Sequence, residues 1–285
     1  MGIALGLGAA LSWGLSDYFA ALASRRVGTL RVVLGFHLLA TAILALVVVA
    51  SGALDRVSWD DLPPFVLIGA LGWSSYLAFY RALAIGTISI VSPVVSGYAA
   101  VTVVLAVLVN GERLSGLEIG AMTIALVGVV LASSDLRQGL GTERLAALGV
   151  LLALGTTVLI GSFVFGIAYY SDRLGWLAPI FLARAFTTLL LLPTAARAGG
   201  WPFRERSRLF LGTIGLLALL DTAGYVSFNF GVRHADTSIV AAAASPYAVV
   251  PIAMGVAVLS ERPAPLQWSG IALVLGGLVV LALVS

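Results

Sequence analysis

The sequence predicts an all-α integral membrane protein with ten transmembrane helices, arranged as two inverted five-helix repeats. Of its 285 residues, 60% are hydrophobic and only 10% are charged, whereas a soluble domain carries about 25% charged residues to cover its surface. Apolar runs of about 20 residues, the length that crosses a bilayer, recur from one end of the chain to the other. The second half of the chain also repeats features of the first half in a single register.

Apolar runs separated by polar, glycine- and proline-containing turns predict the helices one by one. Because backbone amides cannot stay unpaired in lipid, runs of this length must be helical. In the first half we predict helices near residues 3–23, 31–50, 63–84, 88–109 and 116–133. In the second half we predict helices near residues 146–169, 176–195, 208–232, 237–259 and 266–284.

The first apolar run also has one feature of a cleaved signal peptide. Ala21-Leu22-Ala23 before Ser24 resembles the small-residue site at which such peptides are cut. However, no basic side chain precedes the run, and Trp13 and Asp17 interrupt it. We therefore expect this segment to remain in the protein as helix 1.

An internal repeat divides the chain into two halves. A shift of 149 positions (225 − 76) aligns Tyr76 with Tyr225. The same shift aligns Ser89-Ile90-Val91 with Ser238-Ile239-Val240, Tyr98 with Tyr247, Glu112-Arg113 with Glu261-Arg262, Leu117 with Leu266, and Gly128 with Gly277. Several matches in one register indicate a repeat, with residues 1–134 and 145–285 as the two copies within one transport domain. Since each copy has an odd number of helices, the second enters the membrane from the opposite side, as in alternating-access carriers.

Short motifs stand at fixed places along these helices. They are Leu11-Ser12-Trp13-Gly14, Ala82-Leu83-Ala84, Ser89 to Pro93, Gly111-Glu112-Arg113, and the glycine-spaced helix after each Glu-Arg turn. Together they resemble the EamA-like branch of the drug/metabolite transporter superfamily over nearly the whole chain. The pattern departs at two places: the region of the first half that corresponds to Arg184 holds His37 and no arginine, and Ser162-Phe163 replace the Trp-Gly of helix 1. The resemblance implies a carrier whose cargo ranges, across the family, from amino acids to drugs and lipid precursors.

Four ionisable side chains fall well inside predicted helices, namely Asp17, His37, Arg184 and Asp221. A charge at the bilayer centre costs about 2.5–3.5 kcal/mol on insertion scales, so these groups must face a cavity or a partner. They either form a proton or substrate site, or Arg184 and Asp221 form a structural pair that only joins helices.

Polar and aromatic side chains form a stripe on each of two repeat-matched helices. The stripes are Asp221, Tyr225 and Asn229 on helix 8 and Trp73, Tyr76 and Tyr80 on helix 3, at helical spacing. Trp13 lies one turn before Asp17 on the same face of helix 1. With Arg184, these side chains are our candidates for a pocket that binds an amphipathic organic solute. The alternative is that the rings only pack between helices or belong to the interfacial aromatic belt.

Further residues are candidates for coupling and gating. Asp221, Asp17 and His37 are candidates for proton coupling, although a single buried histidine also serves as an ordinary polar contact. Tyr98, Tyr247, Pro93 and Pro246 are candidates for gating, because proline removes a helix hydrogen bond and can kink the helix. The alternatives are that the tyrosines only pack and that the helices tolerate proline without any gating role.

Two further patterns have a plainer interpretation. The pairs Gly2/Gly6 and Gly116/Gly120 have the spacing that permits close helix approach, and we interpret them as ordinary packing. The Glu112-Arg113 and Glu261-Arg262 turns lie at helix ends, where charge costs little, and we interpret them as turn and topology markers.

Arginine placement bears on orientation. The loops after odd-numbered helices hold eleven arginines and the alternate loops hold four, which places both termini outside by the positive-inside rule. Many relatives in the superfamily are taken to have cytoplasmic termini instead, so the orientation stays open.

These features predict a secondary transporter of small organic metabolites in the cell (inner or plasma) membrane. We expect amino acids or related amphipathic solutes as substrates, alternating access as the mechanism and export as the direction, with protons as the coupling ion. An uncoupled facilitator or a drug or lipid-precursor carrier is the alternative. No metalloprotease, serine-hydrolase or phosphate-loop motif is present, and there is no cysteine. We therefore expect no enzyme activity, cofactor, metal or nucleic-acid partner, and either a monomer or a homodimer.

Overall fold

A computed structural model describes residues 1–85, 88–133, 143–202, 207–259 and 264–284. Within these ranges the regular structure is helical, without a strand. The Glu261-Arg262 turn lies outside the described residues. The first half contains α1 (Gly2–Val27), α2 (Thr29–Ser51), a 3₁₀ turn (Trp59–Asp61), α3 (Leu62–Ile85), α4 (Ile88–Ser96), α5 (Tyr98–Leu105), a π-helical turn (Ala106–Asn110) and α6 (Gly116–Ser133).

The second half follows the same plan with one added short helix. It contains α7 (Glu143–Tyr169), α8 (Ser171–Leu174), α9 (Leu177–Ala198), α10 (Arg208–Val232), α11 (Thr237–Ala244), a 3₁₀ turn (Ser245–Ala248), α12 (Val249–Leu259) and α13 (Pro265–Val284). The short helix α8 was not predicted, and its Arg173 forms an ion pair with Asp61 of the first half.

Six helical stretches of the described chain are long and apolar enough to cross a bilayer. They are Thr29–Ser51, Trp59–Ile85, Leu151–Leu174, Leu177–Ala198, Arg208–Val232 and Thr237–Val258, and two shorter apolar stretches cover Val94–Asn110 and Gly116–Gly128. Large apolar side chains such as Leu46, Leu108 and Leu219 are exposed on their outer faces, as in a protein whose solvent is lipid. The prediction of an all-helical membrane fold is confirmed.

Two helices that the sequence predicts as continuous are interrupted. The predicted helix 88–109 divides at Gly97, and the predicted helix 237–259 divides at the 3₁₀ turn Ser245–Ala248. Pro246 lies in the second interruption, where its missing N–H and its ring disfavour a regular α-helical hydrogen bond. The backbone of Pro93 lies within α4, and its side chain is outside the described part of the chain.

The helices of the first half bury their inner faces mainly against the second half. Helix α1 packs on α10 and α11, α3 packs on α7 and α9, α2 packs on α9, and α6 packs on α13. Large side chains such as Phe36, Phe65 and Phe228 are fully enclosed in the resulting core. Neither half therefore has a separate core of its own.

Glu112 joins the two halves at one end of the bundle. Its carboxylate accepts hydrogen bonds from the backbone N–H of Thr237 at 3.2 Å and of Ser238 at 3.1 Å, and from the Ser238 hydroxyl at 2.6 Å. These groups form the first turn of α11, where free N–H groups and the helix dipole favour an anion. Burial, Glu112 and Glu118 together raise the pKa of Asp236, the preceding residue. Glu112 is thus more than a marker of the turn, because it caps a helix of the other half.

We expect Glu112→Ala to lower the thermal stability of the detergent-solubilised protein. The change removes three hydrogen bonds to a charged acceptor, and such bonds contribute about 1.5–3 kcal/mol each at most, less where water replaces them. The matched control is Arg113→Gln, which changes the exposed neighbour in the same turn. Equal melting temperatures for the two variants would show that the cap contributes nothing.

Candidate substrate site

A buried ion pair joins two helices of the second half. Arg184 on α9 contacts the Asp221 carboxylate on α10, and both residues are only 3% exposed. The Tyr76 hydroxyl on α3 lies 3.0 Å from the second carboxylate oxygen of Asp221 and donates to it. Three helices therefore meet at one carboxylate, which has a charged and a neutral hydrogen-bond donor.

The hydroxyls of Tyr76 and Tyr225 lie 3.1 Å apart beside this ion pair. A hydroxyl has one hydrogen to donate, so when Tyr76 donates to the carboxylate, Tyr225 donates to Tyr76. The guanidinium carbon of Arg184 stands 5.3 Å from the centre of the Tyr225 ring, within the range of a cation–π contact. The two tyrosines thus belong to one hydrogen-bonded network with the ion pair.

Asp17 brings a second carboxylate to the same region from α1. It is 8% exposed, and the Tyr80 hydroxyl donates to it across 3.4 Å. Among the described residues no cation pairs with it. One carboxylate of the site is therefore neutralised by Arg184, and the other has only a long hydrogen bond from a neutral donor.

A cavity of about 40 Å³ lies between these groups. Its walls are Trp13, Asp17, Tyr76, Phe79, Tyr98, Ile160, Val164, Asp221, Tyr225 and Tyr247. A space of this size holds a few water molecules, whereas pockets for organic ligands measure about 300–1,000 Å³. In this conformation the cavity is therefore too small for an organic solute.

A match to a known family decides what kind of protein carries this site. The model of the EamA-like transporter family matches residues 1–134 and 147–283. The chain belongs to the EamA-like transporter family. It is a multi-pass membrane protein, and the family consists of transporters, which confirms the resemblance seen in the motifs.

A solved crystal structure shows the same fold as this EamA-like chain. The two have a TM-score of 0.76 at 17% sequence identity, over 99% of this chain and 96% of the other. No curated protein matches the sequence. At this identity the likeness establishes the fold alone.

The EamA-like chain places its remaining candidate residues in three different settings. Tyr98 and Tyr247 line the cavity with ring centres 5.9 Å apart, and the Tyr247 hydroxyl donates to the Ser92 carbonyl at 3.2 Å. Trp73 lies outside the cavity and donates from its indole N–H to the Thr194 hydroxyl. Asn229, fully buried, also lies outside it and donates to the Trp176 carbonyl at 3.4 Å.

His37 is packed between aromatic rings and does not line the cavity. Its ring centre lies 4.4 Å from that of Tyr76 and 4.6 Å from that of Phe36. Neither ring nitrogen has a hydrogen-bond partner within the described ranges. His37 therefore packs against the rings of Tyr76 and Phe36. Within the described ranges no chain of hydrogen bonds connects it to Asp17 or Asp221.

Three apolar side chains of the cavity wall were not predicted. Ile160 and Val164 stand one turn apart on α7, and Phe79 stands on α3. Nearby on α7, Phe163 lies edge-on to the rings of both Tyr76 and Tyr225. The four-residue spacing of Ile160 and Val164 is a signal in principle, but such pairs of apolar residues occur along every helix of a membrane protein.

Proposed function

We propose that this chain is a secondary carrier that moves small amphipathic organic solutes, such as amino acids, across the cell membrane by alternating access. The observation that carries the proposal is the cavity between the two halves, which combines aromatic walls with one paired and one unpaired carboxylate. Such a combination of apolar surface and a few convergent polar groups suits an organic ligand.

We infer ten spans in two inverted repeats, at residues 1–134 and 145–285, from contacts between repeat-matched residues. Tyr76 and Tyr225, which are 149 positions apart, share a hydrogen bond, and the pair Tyr98 and Tyr247 (247 − 98 = 149) has adjacent rings. Equivalent residues meet each other only on an axis of twofold pseudosymmetry. The helix break at Gly97 also corresponds to Pro246 in the second break, and discontinuous helices at matched positions are typical of such carriers.

The charges of the site suggest what it binds. Asp17, Asp221 and Arg184 together have one negative charge in excess when both carboxylates are ionised. Because these side chains are buried, this charge requires a proton or a cationic group of the solute. The aromatic walls favour the cation as well, and the Tyr98 hydroxyl, which has no partner among the described residues, can donate to an acceptor of the same solute.

Competition between a proton and a solute cation for Asp17 provides a mechanism for export. A proton that binds Asp17 from outside displaces the solute, and release of the proton inside restores the anion for the next solute. Because Asp221 is already paired with Arg184, we assign proton coupling to Asp17. We assign a structural role in the site to the Arg184–Asp221 pair. An uncoupled facilitator would use the same cavity without this competition.

The test is transport by the purified chain in proteoliposomes with labelled amino acids and amphipathic amines. We expect accumulation against a solute gradient that follows an imposed proton gradient. In Asp17→Asn we expect the proton dependence to disappear because the residue no longer titrates. Exchange of labelled for unlabelled solute should also slow, because the solute cation loses its carboxylate. Asp60→Asn, an exposed acid outside the cavity, is the matched control. Proton-driven accumulation that persists in Asp17→Asn would refute the coupling role.

A further inference from the structure

A second, larger recess lies on the outer surface of the bundle, between the last turns of α1 and the first turns of α10. Its volume is about 600 Å³. It is lined by Phe19, Leu22, Ala23, Arg26, Val27, Ser207, Arg208, Leu209, Phe210, Gly212, Thr213 and Leu216. None of these residues lines the central cavity, so the recess, here called the α1–α10 groove, is separate from the proposed substrate site.

The α1–α10 groove is cationic at its rim and apolar along its length. Arg26 and Arg208 are both exposed, and neither has a hydrogen bond or an ion pair among the described residues. From Arg26 to Phe19 and from Arg208 to Leu216 the helices descend about 10–12 Å, at about 1.5 Å per residue. The groove therefore begins at two guanidinium groups and continues over apolar side chains to the depth of a lipid tail.

We propose that the α1–α10 groove binds an anionic phospholipid. The phosphate lies between Arg26 and Arg208, since guanidinium groups bind phosphate oxygens through paired hydrogen bonds. One acyl chain lies along the wall formed by Phe19, Leu22 and Leu216. Arginines at the membrane surface attract anionic lipids, and here two of them come from different helices to the mouth of one apolar channel.

Charge also argues against a second copy of the chain as the occupant. Two copies side by side in a membrane, related by a twofold axis along its normal, bring the same patch of each together. The arginines of one groove would then face those of the other without acidic partners from the described residues. At the opposite end of α1, Gly2 lies against Ala235, and the acidic residues Glu112, Glu118 and Asp236 cluster there.

The first test is native mass spectrometry of the full chain in detergent with added dioleoyl phosphatidylglycerol or dioleoyl phosphatidylcholine. We expect one phosphatidylglycerol to be retained in preference to phosphatidylcholine. The double variant Arg26→Gln with Arg208→Gln should bind it roughly thirtyfold more weakly, on the scale of surface arginines with anionic lipid. Arg197→Gln, an exposed arginine in the last turn of α9, is the control and should bind as the unchanged chain does.

A second variant tests the apolar part and leaves both arginines in place. Gly212 lines the groove, and no atom outside the local helix lies within 4 Å of a Cβ built there, so Gly212→Trp places an indole ring in the groove. We expect it to lose the retained phosphatidylglycerol. If Gly212→Trp still retained phosphatidylglycerol, the binding would depend on surface charge alone and the proposal would be overturned. Equal binding of the two lipids by the unchanged chain would overturn it as well. If the lipid-free chain formed a dimer and Gly212→Trp abolished that dimer, the occupant of the groove would instead be a second copy of the chain.

Discussion

Asp221→Asn should cost the folded protein about 3–5 kcal/mol, the usual loss when one partner of a buried ion pair is removed. The substitution keeps the shape of the side chain and its acceptor for Tyr76, but it leaves the Arg184 guanidinium buried without a counter-ion. Two of its nitrogens already have no hydrogen-bond partner in the described chain. We expect a large fall in the melting temperature of the solubilised protein, together with loss of solute transport in proteoliposomes.

A double variant separates the charge of the pair from its role in the fold. Arg184→Met with Asp221→Asn removes both charges and keeps an unbranched side chain at position 184. The large cost of breaking a buried pair comes from the charge left without a partner, and the double variant leaves no such charge. It should therefore recover most of the lost melting temperature. Transport should stay absent if the solute needs the charges. An Asp221→Asn protein as stable as the unchanged chain would show that the pair is not buried as described.

The sequence was most informative about side chains whose burial in lipid costs the most free energy. Asp17, Arg184 and Asp221 were predicted because a charge in lipid needs a cavity or a partner. The structure places both carboxylates on the wall of one small cavity and pairs Arg184 with Asp221. Tyr76 and Tyr225 were predicted from helical spacing and from the repeat register, and their hydroxyls share a hydrogen bond. Each of these predictions used either the spacing of residues within one helix or the match between two positions of the internal repeat.

The same reasoning could not set the depth of a side chain along its helix. Asn229 shares a face with Asp221 but lies eight residues further on, which is about 12 Å along the axis, and it bonds to Trp176 outside the cavity. Trp73 lies about one turn before Tyr76 in the other stripe and bonds to Thr194. A stripe on a helix is longer than the cavity it faces, so spacing alone includes residues beyond both ends.

Contacts between distant segments were also beyond the sequence. The cap that Glu112 provides to Thr237 joins residues 125 positions apart, and nothing in either segment indicates the other. The segments on either side of the two breaks also pack on distant helices, since α11 and α12 lie against α1, and α4 and α5 lie against α7. Proline at 246 gave a local reason for one break, whereas no proline stands at Gly97.

Gly6→Leu should be among the most damaging substitutions, because α1 and α11 approach each other closely at this glycine. A Cβ atom at Gly6 would lie 2.7 Å from the Cβ of Ala243 and 2.8 Å from the Val240 carbonyl oxygen. Neither neighbour is the end of a flexible side chain, so α1 must move away from α11. Overpacking of this kind costs about 1–3 kcal/mol and more when backbone must shift. We expect a lower melting temperature and reduced transport.

Gly120→Leu is the matched control, because Gly116 and Gly120 have the same four-residue spacing as Gly2 and Gly6. No atom outside the local helix lies within 4 Å of a Cβ built at Gly116 or Gly120. A leucine at position 120 enters open space on α6 and should stabilise the helix by up to about 1 kcal/mol, since glycine is a poor helix former. Sequence treats the two pairs alike, and only the neighbouring helix distinguishes them. Equal melting temperatures for Gly6→Leu and Gly120→Leu would refute the close contact between α1 and α11.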